Sequence, residues 1–182
     1  MNVQQTKLPG VLIIEPEIFP DHRGFFLESY HASRYQKLGL PNNFVQDNHS
    51  LSCRNTIRGL HAQIQKPQAK LIRVVEGEIF DVAVDIRLGS PTFSQWTAVV
   101  LSEVNKLQLY IPAGFAHGFA VTSCSAQVEY KCTEYYDSKN QVNILWSDTA
   151  IGINWPIDAP ILSDKDSCAP VLKEIQDKLT HF

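Results

Sequence analysis

The sequence predicts an all-β fold, a sandwich or a closed barrel with a few short helices. Three observations lead there. About eleven short segments rich in β-branched and aromatic residues recur along the 182-residue chain. Gly, Pro, Asn, Asp and Ser separate them in turn-forming combinations. Several of them alternate apolar and polar residues with the period of two that a strand requires. In chain order the predicted strands are 11–15, 25–30, 43–48, 56–64, 71–76, 78–87, 93–101, 106–111, 118–121, 127–131 and 142–146. The alternation is clearest from 79 to 86, with Phe80, Val82, Val84 and Ile86 on one face and Ile79, Asp81, Ala83 and Asp85 on the other. Leu107, Leu109 and Ile111 share a face in the same way. Two helices fit between and after the strands. One covers 33–38 and stops at Gly39. The other runs from about Pro170 to Leu179, with Pro170 in its first turn and Val171, Leu172, Ile175 and Leu179 as an apolar stripe.

The chain is long enough to bury a core without staples, and one domain spanning 1–182 is the expectation. Hydrophobic residues make up 44% and charged residues 19%, a globular composition. No run of about 18 apolar residues is present, so no transmembrane helix is expected. The N-terminus lacks the pattern of a secretory signal, which makes the cytoplasm the default location. Sixteen Lys and Arg against nineteen Asp and Glu give a net charge of −3, without a basic stripe for a nucleic-acid polymer. Cys53, Cys124, Cys132 and Cys168 form no C-x-x-C pair and read as reduced, partly buried thiols. Phe25, Phe26, Trp96 and Trp155 read as core.

Chemistry concentrates in two histidine motifs. His61 lies in Arg58-Gly59-Leu60-His61-Ala62-Gln63, on a predicted strand. His117 lies in Pro112-Ala113-Gly114-Phe115-Ala116-His117, at a strand-entry turn. This P-x-G-x-x-H arrangement resembles the second motif of the cupin superfamily, a double-stranded β-helix or jelly-roll barrel. Metal-binding cupins complete a ligand set of three or four imidazoles and carboxylates. Here Gln63 stands where a second His is common, and Lys70 brings an ammonium that repels a divalent cation. A barrel without a resident metal is expected. His61, Lys70 and an acid then suit carbanion chemistry beside a carbonyl. The imidazole takes a proton from carbon near neutral pH, and the ammonium holds the enolate oxygen.

The motifs together are similar to the dTDP-4-dehydrorhamnose 3,5-epimerase family from about Leu8 to Pro170. The matching blocks include Asp21-His22-Arg23-Gly24-Phe25-Phe26, Phe44-Val45-Gln46-Asp47-Asn48-His49-Ser50, Ile57-Arg58-Gly59-Leu60-His61, Lys70-Leu71-Ile72-Arg73-Val74, Tyr130-Lys131 and Ile161-Leu162-Ser163-Asp164-Lys165-Asp166. The resemblance implies inversion of C3 and C5 in a dTDP-linked 4-keto-6-deoxy sugar, with no cofactor. It implies His61 as general base, Asp166 as the carboxylate paired with it, Tyr130 as the acid on the opposite face and Lys70 near the C4 oxygen. By the same resemblance His117 is a further substrate contact, and Arg23 and Arg58 are diphosphate ligands. Glu28, Gln46, Asn48 and Lys165 match other nucleotide–sugar contacts, and Phe19 faces the nucleotide. A homodimer is implied, with the N-terminal region of one subunit reaching its neighbour.

The chain departs from the family pattern at Ala62, Gln141, Asn143 and Leu145, where an aromatic, an acidic, a glycine and a basic residue are usual. These departures bear on sugar and nucleotide specificity. Inversion at C3 alone, 3,4-ketoisomerisation, a non-catalytic sugar-nucleotide-binding cupin and a metal-dependent cupin oxygenase are the alternatives. Without the resemblance His61 reads as a hydrogen-bonded core histidine, Tyr130 as a strand aromatic and Arg23 as a turn residue. Asp81 and Asp85 are either exposed or orient barrel residues.

Overall fold

The computed structural model describes residues 1–179 and holds thirteen strands. Six strands form one antiparallel sheet, in the order β1 (Asn2–Gln5), β2 (Leu12–Glu15), β10 (Gln108–Ile111), β7 (Lys70–Glu76), β12 (Ser125–Cys132), β5 (Gln46–Cys53). Five form the second, in the order β13 (Gln141–Asn143), β6 (Ile57–Gln63), β11 (Phe115–Val121), β8 (Glu78–Asp85), β9 (Trp96–Ser102). A separate hairpin pairs β3 (Ile18–Asp21) with β4 (Gly24–Leu27). This is the predicted all-β architecture. The chain order of the paired strands interleaves the two sheets, as in a jelly roll.

Strand alternation builds the interior. Ile72 and Val74 of β7, Ala126 and Val128 of β12, Ile79 and Ala83 of β8, and Phe115, Phe119 and Val121 of β11 meet between the sheets in one buried cluster. Lys70, Tyr130, Asp81 and His117 occupy the same inward faces at two-residue steps. The sandwich therefore turns from apolar to polar along its own strands. The other face of β8 is buried as well. Val82, Val84 and Ile86 pack with Ile151, Leu172 and Ile175 in a second cluster. Asp81 and Asp85 are both fully buried, so of their two readings the orienting one holds. Asp81 meets His117, and Asp85 is fixed by Arg87, Ser90 and Thr92.

Several boundaries differ from expectation. The strand predicted at 43–48 runs as Gln46–Cys53, and the one at 118–121 begins at Phe115. β1, β3 and the short helix α2 (Asp164–Ser167) were unanticipated. The first helix, α1, spans Ala32–Lys37 and ends where Gly39 takes a positive φ of 82°. The expected C-terminal helix is a 3-10 turn over Leu172–Lys178. Its two buried anchors, Leu172 and Ile175, are three residues apart, matching the 3-10 repeat. Its start is tied down by Leu172 N–H donating to the Asp148 carboxylate at 2.7 Å. Phe25 and Phe26 are 55% and 69% exposed, which overturns their assignment to the core. Their hairpin lies outside both sheets, so neither ring has an interior to enter. Cys132 is buried, but Cys53, Cys124 and Cys168 are exposed free thiols rather than partly buried ones. Among the described residues no helix is long and apolar enough to cross a membrane.

Candidate active site

A cavity of about 440 Å³ opens between the two sheets. The five-stranded sheet supplies Arg58 and His61 from β6 and His117 from β11. The six-stranded sheet faces them with Lys70 from β7, Tyr130 from β12, and Gln46 and Asn48 from β5.

Local backbone chemistry sets the position of His61. β6 and β11 cross very closely where Gly59 meets Gly118. A Cβ built on Gly59 would fall 2.5 Å from the Gly118 Cα, and its φ is +125°, so only glycine fits. On this sheet His61 then lies directly across from His117. The carboxylate partner of His61 comes from far along the chain. Thr56 forms a parallel bridge to Ile161, which brings the segment leading into α2 alongside β6. Ser163 caps α2 by accepting the Asp166 N–H at 3.2 Å. His61 Nε2 then lies 2.6 Å from Asp166 Oδ1. With Nε2–H donating to the carboxylate, Nδ1 is left to accept a proton. Among the described residues Nδ1 has no hydrogen-bond partner.

The His61 side chain is 31% exposed while Asp166 is 5% exposed. The imidazole is thus open to the cavity and its partner is shielded. Burial pushes the Asp166 carboxyl upward, but the bonds from His61, Ser163 and the Gly59 backbone outweigh it and hold its pKa below the ordinary value.

A second pair lies deeper. His117 Nε2 is 3.0 Å from both oxygens of Asp81, and both side chains are almost completely buried. Burial, with the nearby Lys70 ammonium and His61, outweighs Asp81 and lowers the His117 pKa. Lys70 Nζ sits 5.8 Å from the centroid of the Tyr130 ring. Burial depresses the Lys70 pKa against the opposing pull of Cys132 and Asp81. Burial raises the Tyr130 phenol, which keeps its proton for donation. The Tyr130 ring stands edge-on to His117 at 6.4 Å. At one edge Arg58 Nε donates to Ser52 Oγ at 2.8 Å, which fixes the guanidinium at the wall. Gln46 Nε2 donates to Asn48 Oδ1 at 2.9 Å.

Of the twelve site residues expected from sequence, nine line this cavity: His61, Lys70, Asp166, Tyr130, His117, Arg58, Gln46, Asn48 and Lys165. Phe19, Arg23 and Glu28 do not. Phe19 is on the outlying hairpin and 51% exposed. Arg23 turns its guanidinium to Asp21 at 2.6 Å in the hairpin turn. Glu28 pairs with Arg34 at 3.1 Å. Within one chain these three form no part of the cavity: Phe19 and Arg23 belong to the separate hairpin and Glu28 follows it, on the flank of the six-stranded sheet where Phe25 and Phe26 lie beside Arg73, Lys106 and Gln108. Ser50, Gln68, Phe119, Tyr136 and Ser163 line the cavity without having been expected. Ser50 was within reach of pattern reading, since it follows Gln46 and Asn48 at two-residue steps on one strand face. Gln68, Tyr136 and Ser163 come from connections, which carry no periodic signal.

The arrangement offers a hydrogen-bonded base, an ammonium and a protonated phenol around one cavity, with an arginine fixed at the rim. That set suits proton transfer at carbon beside a carbonyl. The model of the family described as dTDP-4-dehydrorhamnose 3,5-epimerase matches residues 5–174. The dTDP-4-dehydrorhamnose 3,5-epimerase of Salmonella typhimurium is 53% identical over 177 residues, covering 96% of this chain and 97% of that protein. A Streptomyces niveus relative named dTDP-4-dehydrorhamnose 3-epimerase is 36% identical, covering 97% of this chain and 86% of its own length. A crystal structure of the Legionella pneumophila dTDP-6-deoxy-D-glucose-3,5-epimerase, in complex with dTDP-4-keto-L-rhamnose, superposes with a TM-score of 0.96. It is 49% identical and covers 100% of this chain and 98% of its own. By sequence and by fold, then, the chain belongs to the dTDP-4-dehydrorhamnose 3,5-epimerase family.

Proposed function

We propose that this chain inverts C3 and C5 of dTDP-4-keto-6-deoxy-D-glucose, giving dTDP-4-keto-L-rhamnose, with His61 as base and Tyr130 as acid. The observation that carries the assignment of roles is the 2.6 Å bond from His61 to a buried Asp166, set in the same cavity as Lys70 and Tyr130. Both C3 and C5 flank the C4 ketone, so loss of either proton gives an enolate at that oxygen. His61 Nδ1 takes the proton from carbon. Asp166 holds the imidazole in the tautomer that can do so and steadies the imidazolium that results. The Lys70 ammonium neutralises the enolate oxygen. A preorganised donor of this kind is worth about 3–4 kcal/mol in the transition state. Tyr130, from the opposing sheet, returns a proton to the other face of the carbon and so inverts it.

Arg58, Lys165, Gln46 and Asn48 bind the diphosphate and nucleotide sugar, and His117 adds a contact beside Lys70. Phe19, Arg23 and Glu28 serve the cavity of a second copy. Their exposed hairpin, with four large apolar side chains turned outward (Ile18, Phe19, Phe25 and Phe26), supports a homodimer in which each subunit completes its neighbour's site.

Proton NMR of the ketosugar in deuterated buffer tests the reading. Deuterium should enter C3 and C5 with inversion at both. Tyr130→Phe should still admit deuterium at carbon on the His61 side while losing inverted product. Full wash-in by His61→Ala would remove this base from the mechanism. Deuterium at C3 alone would instead make the protein a single-centre epimerase.

A further inference from the structure

Next to the catalytic groups, one buried amide belongs to no proton-transfer step. Gln63, two residues beyond His61 on β6, is only 6% exposed, yet it uses both ends of its side chain. Its Nε2 donates to the Lys66 carbonyl at 2.9 Å and to the Tyr135 carbonyl at 3.1 Å. Its Oε1 accepts the Asp137 N–H. All the bonds made by this side chain go to backbone, and two of them go to the connection between β12 and β13. That connection, residues 133–140, carries Tyr136 into the cavity wall.

Two further glutamines hold the same stretch. Gln68 Nε2 donates to the Glu134 carbonyl at 2.7 Å, and Gln46 Oε1 accepts the Tyr136 N–H at 2.8 Å. The ends of the connection are pinned independently, by Thr133 N–H to the Ala69 carbonyl and Ile64 N–H to the Asn140 carbonyl. Its middle, from 134 to 137, receives side-chain amides in place of a strand ladder. Each such bond contributes modestly, and Tyr135 and Tyr136 are exposed, so groups freed by removing one amide turn to water and release the middle without unpinning the ends.

We infer that Gln63 is a positioning residue: it clamps the 134–137 segment so that Tyr136 walls the cavity, and it sets how tightly the sugar nucleotide is gripped rather than how fast the proton moves. Gln63 lines the same cavity but hydrogen-bonds to neither the base, the ammonium nor the phenol. The consequence for the reaction rests on the epimerase reading above, whereas the clamp itself is a property of the fold.

The test combines amide hydrogen exchange with steady-state kinetics on wild type, Gln63→Leu and Gln68→Leu, with Gln63→Glu as the variant of matched size. In Gln63→Leu, exchange at 135–137 should accelerate while β6 and β11 stay protected. KM should rise about tenfold or more, with kcat changed less than about threefold. Gln68→Leu should give the same split to a smaller degree. Gln63→Glu sets a carboxylate against two carbonyls and loses both donors. Its KM should be high at pH 8 and recover as the pH falls and the acid regains one donor, while wild-type KM stays comparatively level. Unchanged exchange at 135–137 in both Gln63 variants would overturn the clamp. So would faster exchange with unchanged KM, or a loss confined to kcat. If wild type leaves the ketosugar unchanged, it is the epimerase reading that fails. The clamp is then judged on exchange and on calorimetric binding of dTDP, where unaltered affinity in Gln63→Leu counts against it.

Discussion

Two histidine–carboxylate pairs face each other across adjacent strands, and their difference is what supports the proposal that one of them is the base. His61 and His117 are direct neighbours on β6 and β11, and each places Nε2 against an aspartate. The His61 ring is 31% exposed and its carboxylate comes from α2, 105 residues away, outside the sheets. The His117 ring is 6% exposed and its carboxylate comes from the next strand of the same sheet. His61 can therefore meet a substrate carbon and dissipate the charge it gains. His117 is enclosed, depressed in pKa by burial, and faces the Lys70 ammonium, so it stays neutral. On the proposed mechanism the same two side-chain types divide into a group that moves a proton and a group that holds still.

On this division His61→Asn should cost the most. Loss of the general base should lower turnover by about 10²–10⁴-fold, measured by product formation in NMR, with deuterium wash-in lost in parallel. His117→Asn should leave wash-in detectable. Equal losses at the two positions would erase the distinction.

The aspartates sharpen the same contrast. Asp166→Asn removes the charge behind the base and should lower kcat by about 10²-fold or more, with little change in thermal stability. Asp81→Asn should do the reverse. Its charge is buried among strands, so stability should fall by about 1–3 kcal/mol while kcat falls only about tenfold. Denaturant melts and kinetics on both variants provide the check.

Lys70 lines the same cavity from the opposing sheet, and its behaviour with pH is next in size. Lys70→Met should lower kcat about 10²-fold. Because burial lowers the lysine pKa, the wild-type ammonium is lost as pH rises, before the ordinary value of 10.5 is reached. The alkaline limb of kcat should fall in that interval. Lys70→Arg, whose guanidinium stays charged, should shift the limb upward even at reduced activity. An unmoved limb would assign it to another group.

Much of this was legible in sequence, and the residues show why. Lys70, Ile72 and Val74 alternate strictly, as do Phe115, His117 and Phe119, so the polar members of inward faces are found by counting twos. The double burial of β8 is not visible in its residues, since Asp81 and Asp85 on one face read equally well as exposed, and only the structure shows them buried. Asp166 carries no periodic signal. It reaches His61 through a parallel bridge at Ile161 and a four-residue helix, and only the family resemblance points to it. β3 escapes because it is short and contains Pro20, which a hairpin outside the main sheets tolerates. The placement of Phe19, Arg23 and Glu28 outside the cavity is equally unreadable, since local pattern gives the element and not the body it faces. The C-terminal turn shows the limit for helices. Leu172 and Ile175 at a spacing of three suit both α and 3-10 geometry, and the bond to Asp148 belongs to tertiary structure.

The smallest expected effect is on stability in mild acid, and it falls on the enclosed pair. The His117 pKa lies below its ordinary value of 6.5 in the folded chain. Between the two values the unfolded chain binds a proton that the folded one refuses. Stability should therefore decline as pH falls below about 6.5, by at most about 1.4 kcal/mol per pH unit for this one group. Asp166 has the same sign in a lower window, because its depressed carboxyl protonates in the unfolded chain first. Urea melts at pH 7.5, 6.5, 5.5, 4.5 and 3.5 should show the first decline already between pH 6.5 and 5.5. His117→Gln removes the imidazole and should flatten that first interval, whatever its overall stability, while leaving the drop near pH 4 in place. An equally steep first interval in His117→Gln would mean that the enclosed histidine takes up its proton as readily as a free one. In that case the two pairs would differ in exposure but not in charge.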